Sequence, residues 1–228
     1  MDAEIGNLMQ RLDKLGLSDN SIVVFSSDQG PEGIRDNAGA EPSERKQKKQ
    51  EIKGKTGGGN EINPVRLNAM GDAGPLLRGG KHAQYEGGVR IPFIVRWPGH
   101  TPAGRVDEKS VLSAADWLPT LCALTGTKIN VADFHGEDAS QAWLGSDFTR
   151  TKPLLWKTSS PNSPGTIRIG DWKLHHPNSK RGETELYNVV ADPGEQTNLA
   201  GKEPAKVKEL AAKLEAWQAA LPIMTSAS

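Results

Sequence analysis

The stretch SIVVFSSDQGP, residues 21 to 31, is an apolar run that ends abruptly in two serines, a carboxylate, an amide and a Gly-Pro turn. Its continuous apolar half reads as a strand. Just upstream, Ile5, Leu8, Met9, Leu12 and Leu15 recur at helical spacing and Gly16 offers a stop, which predicts an amphipathic helix over residues 2 to 16. A helix feeding a continuous apolar strand indicates an α/β layer with its sheet buried on both faces. The fold class is therefore read as α/β.

Downstream, residues 32 to 63 turn polar, and a lysine-rich segment at about 35–60 is predicted to be a long loop. Order returns with RIPFIVRWPG (90–99), a second apolar strand. SAADWLPTLCALTG (113–126) then gives a helix that stops at Gly126. Beyond residue 150 the pattern changes to PLLWKTS, TIRIGDWKLHH and TELYNVV, short strands set off by Pro-Asn, Gly-Asp and ADPGE turns. These predict a small antiparallel sheet. Val207, Leu210, Leu214 and Trp217 share one face of a closing helix over 203–221, placed to cover that sheet.

Two parts result, 1–150 and 151–228. The first holds only two strands of the buried type, and such strands need neighbours on both sides. The expectation is that a partner chain supplies the missing strands, or that this sequence is the carboxyl-terminal part of a longer protein.

Lys plus Arg and Asp plus Glu each total 28, so global charge gives no reason to expect nucleic acid or an anionic membrane as partner. The single cysteine, Cys122, excludes an internal disulfide framework and a multi-cysteine metal site, and its apolar helical setting makes it a core residue. The amino terminus lacks the basic start and apolar core of a secretory signal, and no run reaches the roughly 20 apolar residues of a spanning helix. Localisation stays open.

Asp28 and Gln29 stand where α/β folds place functional groups, at the carboxyl end of a strand. A carboxylate beside an amide oxygen suits a hard cation such as Ca²⁺ or Mg²⁺, while capping of the turn is the plainer reading of the same pair. In LLRGGKHAQYEGGVR (76–90), two Gly-Gly pairs flank Lys81. Glycines let backbone approach a ligand, and the ammonium is a compact charge for an anion. Alternatively this is a surface turn with a solvated lysine and Glu86 paired to a nearby arginine. It is not a phosphate-binding loop, because Gly80-Lys81 is followed by His82 rather than Ser or Thr.

Taken together, Ser27-Asp28-Gln29-Gly30, Gly80-Lys81, Glu86-Gly87-Gly88, Arg90, Pro92 and Trp97-Pro98-Gly99 resemble, in order and spacing, the sulfatase family of the alkaline-phosphatase-like superfamily. DWLPTLCALTG, TIRIGDWKLHH and ELYNVVADPGEQTNLA extend the likeness along that family's carboxyl-terminal portion. The resemblance implies an alkaline-phosphatase-like fold: part of a large mixed sheet flanked by helices, then a small antiparallel sheet with its packed helix. It implies sulfate-ester hydrolysis of a carbohydrate or aryl substrate, with Asp28 and Gln29 as two ligands of one divalent cation, usually calcium, and Lys81 on the substrate sulfate. Gln29 departs from the family's commoner Asn by one methylene.

His82, next to Lys81, is a second candidate for substrate contact. The family's nucleophile, a formylglycine made within Cys/Ser-x-Pro-x-Arg, has no counterpart in this sequence. The expectation is a chain inactive by itself, whose partner is the amino-terminal half of the same protein. Two rival readings are a phosphodiesterase or phosphonate hydrolase of the same superfamily, and a module that binds sulfated glycan without cleaving it. His175 and His176 point to opposite sides of a strand, so at most one faces a site, and a structural role is expected. His100 and His135 are expected in loops.

Overall fold

The computed structural model describes residues 1–31, 77–157, 164–177 and 182–221. The lysine-rich segment at about 35–60 lies outside the described residues. The chain divides into two compact units, one of residues 1–27 and 92–152, the other of residues 28–91 and 153–228.

In the first unit, α1 (Asp2–Lys14) carries acidic residues in its first turn and basic ones in its last, both favourable to the helix dipole. Strand β1 (Val23–Ser26) pairs antiparallel with β2 (Phe93–Arg96), Val24 opposite Val95 and Phe25 opposite Ile94. The sequence pattern anticipates strands buried on both faces. Here β1 and β2 are largely half-buried, Ile94 is 59% exposed, and α1 buries none of its residues. The reason is that these two strands pair only with each other among the described residues, which supply no further strand to extend the layer. Between them along the chain lies a short helix, α2 (Glu86–Val89), which belongs to the second unit.

The helix α3 (Trp117–Thr125) begins after a capping box between Ser113 and Asp116 and ends at Gly126, whose φ of 72° is the left-handed conformation a helix stop requires. Cys122 is buried on it, as its apolar setting implies. Buried Asp116 pairs with Arg150, which also reaches Glu137 at 3.3 Å. A short helix, α4 (Ser140–Trp143), follows.

The second unit is built on a four-stranded antiparallel sheet of β3 (Leu154–Trp156), β4 (Gly165–Ile169), β5 (Trp172–His176) and β6 (Glu185–Asn188), in that spatial order. Strands β4 and β5 turn through Gly170 and Asp171, with Gly170 at φ 55°. The final helix α5 (Pro204–Ala220) starts on a proline whose missing N–H costs nothing there. Its Leu210, Ala211 and Leu214 close a core with Ile167, Leu174 and Leu186, and Val207 and Trp217 pack at its edge. This sheet and its covering helix are the ones anticipated from the sequence.

Among the described residues no helix is long and apolar enough to cross a membrane.

Candidate functional site

Two loops of the second unit hold the residues with candidate chemistry. Asp28 and Gln29 follow the end of β1 by two and three positions. Asp28 is exposed, Gln29 is half-buried, and Gln29 Nε2 donates to Asp28 Oδ2 at 3.4 Å. The two oxygen-bearing side chains thus stand side by side rather than diverging.

Lys81 and His82 are the central pair of a turn closed by Ala83 N–H to Gly80 O at 2.9 Å. His82 is exposed and has φ 71°, a left-handed conformation usually left to glycine. Strain of this kind concentrates at functional sites.

Backbone bonds tie the two loops together. Gly30 N–H donates to Gly88 O at 2.8 Å, and Lys81 N–H donates to Pro31 O at 2.9 Å. The approach is so close that a Cβ on Gly30 would run into Gly87 O, and one on Gly88 into Ala83 O. Glycine at these two positions is a steric requirement, which gives the Glu86-Gly87-Gly88 pattern a physical meaning. The residues named from sequence, Asp28, Gln29, Lys81 and His82, are therefore carried by one pair of interlocked loops.

The donors suit a hard cation in type, being a carboxylate and an amide oxygen, but they are two where calcium takes six to eight. Among the described residues no group of three or more His, Cys, Asp or Glu side chains is placed to hold a metal ion.

Behind the loops lies a buried polar layer. Lys173 is fully buried, with its Nζ 2.9 Å from Glu86 Oε1 and 3.3 Å from Glu195 Oε1. Arg168 stands 3.5 Å from the other oxygen of Glu86. His175 Nε2 is 3.2 Å from Glu195 Oε1. Arg78 Nη1 reaches Glu185 and Tyr187 Oη, each at 2.8 Å, and its guanidinium stacks 3.9 Å over the Tyr85 ring.

Burial pushes the His175 imidazole down, against the pull of the Glu195 carboxylate. Burial would raise the Glu195 carboxyl, but the hydrogen bond to His175 and the charge of Lys173 hold it below its ordinary value. Glu185 is likewise lowered against burial by Tyr187 and Arg78.

A neutral His175 with its proton on Nε2 toward Glu195 must accept at Nδ1 from the Thr166 hydroxyl, 2.9 Å away. Thr166 Oγ1 also hydrogen-bonds to the Gln84 side-chain oxygen, Oε1.

The sequence offers Glu86 either as part of the glycine turn or as the partner of an arginine, and it is both, with Lys173 added. Lys173 and Glu195, buried behind the two loops, are residues that sequence reasoning misses. A signal exists: in WKLHH, Lys173 and His175 alternate with Leu174, so the strand has one apolar and one basic face. Acidic Glu185 and Glu195 lie on the next strand and the turn after it.

The model of the family described as Sulfatase matches residues 1–127, and that described as N-sulphoglucosamine sulphohydrolase, C-terminal, matches residues 80–220. The chain is 30% identical to an N-acetylgalactosamine-6-O-sulfatase of Bacteroides thetaiotaomicron, over 94% of this chain and 40% of the relative. It is also 30% identical to human arylsulfatase A, over 88% of this chain and 38% of that one. A solved structure from work on the metabolism of multiple glycosaminoglycans by Bacteroides thetaiotaomicron superposes with a TM-score of 0.66 at 28% identity, covering 96% of this chain and 43% of the other. The chain thus spans about 40% of the length of the curated relatives it matches.

Proposed function

The chain belongs to the sulfatase family, and from that premise we propose that it carries part of the site of a sulfuric ester hydrolase acting on a sulfated carbohydrate or an aryl sulfate. Asp28 and Gln29 supply two oxygen ligands to a divalent cation, calcium or magnesium. Lys81 sets its ammonium against the sulfate oxygens, and His82 faces the same substrate. The observation that carries this reading is the interlocking of the two loops through Gly30, Pro31, Lys81 and Gly88, which holds cation ligands and sulfate-binding lysine in one assembly.

A bound cation supplies polarisation of the sulfate group. The chain's own residues bind and orient. Lys81 balances negative charge that grows on the sulfate oxygens as the ester bond breaks, and Gln29, longer than an asparagine by one methylene, sets how far its oxygen reaches. The formylglycine nucleophile and the remaining cation ligands come from residues outside this sequence, since no Cys/Ser-x-Pro-x-Arg motif occurs in it.

Backbone NMR of the chain titrated with CaCl₂ and then Na₂SO₄ tests the reading. Expected are weak, saturable shifts at Asp28 and Gln29 with calcium and at Lys81 with sulfate, lost in Asp28→Asn and Lys81→Ala respectively. Wild-type spectra unchanged at these residues would refute the assignment. Turnover of a chromogenic sulfate ester by this chain alone would rule out a nucleophile located elsewhere.

A further inference from the structure

We propose that Glu195, with Lys173 and Glu86, is a positioning device that sets the Lys81 turn against the Asp28 loop from behind. The proposal deepens the reading of that site as a sulfatase site and rests on it for its function, though not for its geometry.

Glu195 is a fully buried carboxylate on a backbone with φ 50°, a strained conformation for a residue with a side chain. The loop tolerates it because Asp192 secures the turn. Asp192 O accepts from Glu195 N–H at 3.0 Å, and Asp192 Oδ2 accepts from the N–H groups of Gln196 and Thr197 at 2.9 and 2.8 Å. The result aims the carboxylate at the polar face of the sheet.

There it does two things at once. Glu195 Oε1 meets Lys173 and His175, and Oε2 accepts the backbone N–H of Glu86 at 2.6 Å. Glu86 returns the contact through its own carboxylate on Lys173 at 2.9 Å. The backbone and side chain of one residue are thus gripped by the same buried pair of charges.

Glu86 begins the short turn from which both loops hang. Gly87 N–H donates to Arg78 O at 2.7 Å, which fixes the segment of chain leading to Lys81. Gly88 O takes Gly30 N–H, which fixes the chain leading from Asp28. Because glycine there leaves no slack, a shift of Glu86 is passed to both loops rather than absorbed. A mere stability role predicts that losing Glu195 loosens the whole unit evenly. A positioning role predicts that the two inter-loop bonds loosen first.

Amide hydrogen exchange in the full chain distinguishes these. In Glu195→Ala, exchange at Gly30 N–H and Lys81 N–H should quicken by about tenfold or more beyond the change at Leu214 N–H in α5, since a charge-assisted hydrogen bond is lost. Glu195→Gln keeps an acceptor without the charge, folds if the alanine variant does not, and should show the same local pattern at smaller amplitude. Leu210→Ala, which opens the apolar face instead, should quicken all three amides in proportion.

If Glu195→Gln behaves as Leu210→Ala does, the positioning role is wrong. Calcium titration of the same samples separates the two claims. Absent calcium shifts in the wild type would sink the site assignment, and the exchange rates would still decide whether Glu195 positions the loops. With shifts present, the calcium midpoint should rise by about tenfold in Glu195→Ala and stay put in Leu210→Ala.

Discussion

Leu174 and Lys173 are neighbours on β5, both withdrawn from water, and they are held there by opposite means. Leu174 faces Ile167, Leu186, Leu210 and Leu214, where burial of apolar surface is favourable in itself and any well-shaped neighbour will serve. Lys173 faces Glu86 and Glu195, where burial is costly and becomes tolerable only because specific oxygens lie 2.9 and 3.3 Å away. The apolar face contributes stability. The polar face contributes position, since charges hold their partners at fixed distances and directions, whereas methyl groups only need to be covered.

The sharpest way to break this contrast is Lys173→Ala, which leaves two buried carboxylates without their ammonium and should cost about 3–5 kcal/mol in urea unfolding. Replacing the whole group, Lys173→Met with Glu86→Gln and Glu195→Gln, should cost less than Lys173→Ala alone, because the three fully buried charges are removed together and none of them is orphaned. If the triple variant is the less stable of the two, the polar face is a source of stability after all.

On the other face, Leu210→Ala should lose about 3 kcal/mol by opening a cavity beneath α5. It should leave the pH dependence of stability unchanged.

The polar face contributes to that pH dependence. His175 sits below its ordinary value of 6.5, so the unfolded chain takes up the proton first and stability falls as pH drops below about 6.5. Glu185 and Glu195 are held below their ordinary 4.5, so their contribution is present above that value and is lost as pH falls further. Thermal melts should decline in two stages on acidification, and His175→Gln should remove the first.

The smallest stability effect is expected at the candidate site itself. Asp28→Asn changes an exposed side chain and should alter unfolding stability by no more than about 0.5 kcal/mol. It should nonetheless abolish the calcium shifts.

Much of this is legible in the residues. Asp28, Gln29 and Lys81 stand out because glycines and a strand end surround them, and those are local patterns. Gly126 stops its helix and Gly170 turns its hairpin for reasons contained in a few neighbouring positions. Lys173 escapes such a reading because a lysine alternating with leucine in a strand looks like the solvent side of a half-covered sheet. Its face is covered by the turn at 78–88 and the loop at 189–196, which arrive from far along the chain.

The main helices, the approximate strand positions, the antiparallel character of the small sheet and the glycine-rich stretch around Lys81 are legible in the residues alone. These depend on spacing, propensity and turn chemistry within a dozen residues. No local pattern announces that Glu86 meets Lys173 across 87 positions or that Glu195 grips the backbone of Glu86 across 109. The physical reason is that charge has no period. A buried ion pair is selected by the three-dimensional cost of leaving either partner alone, and that cost exists only once the layers have closed around both.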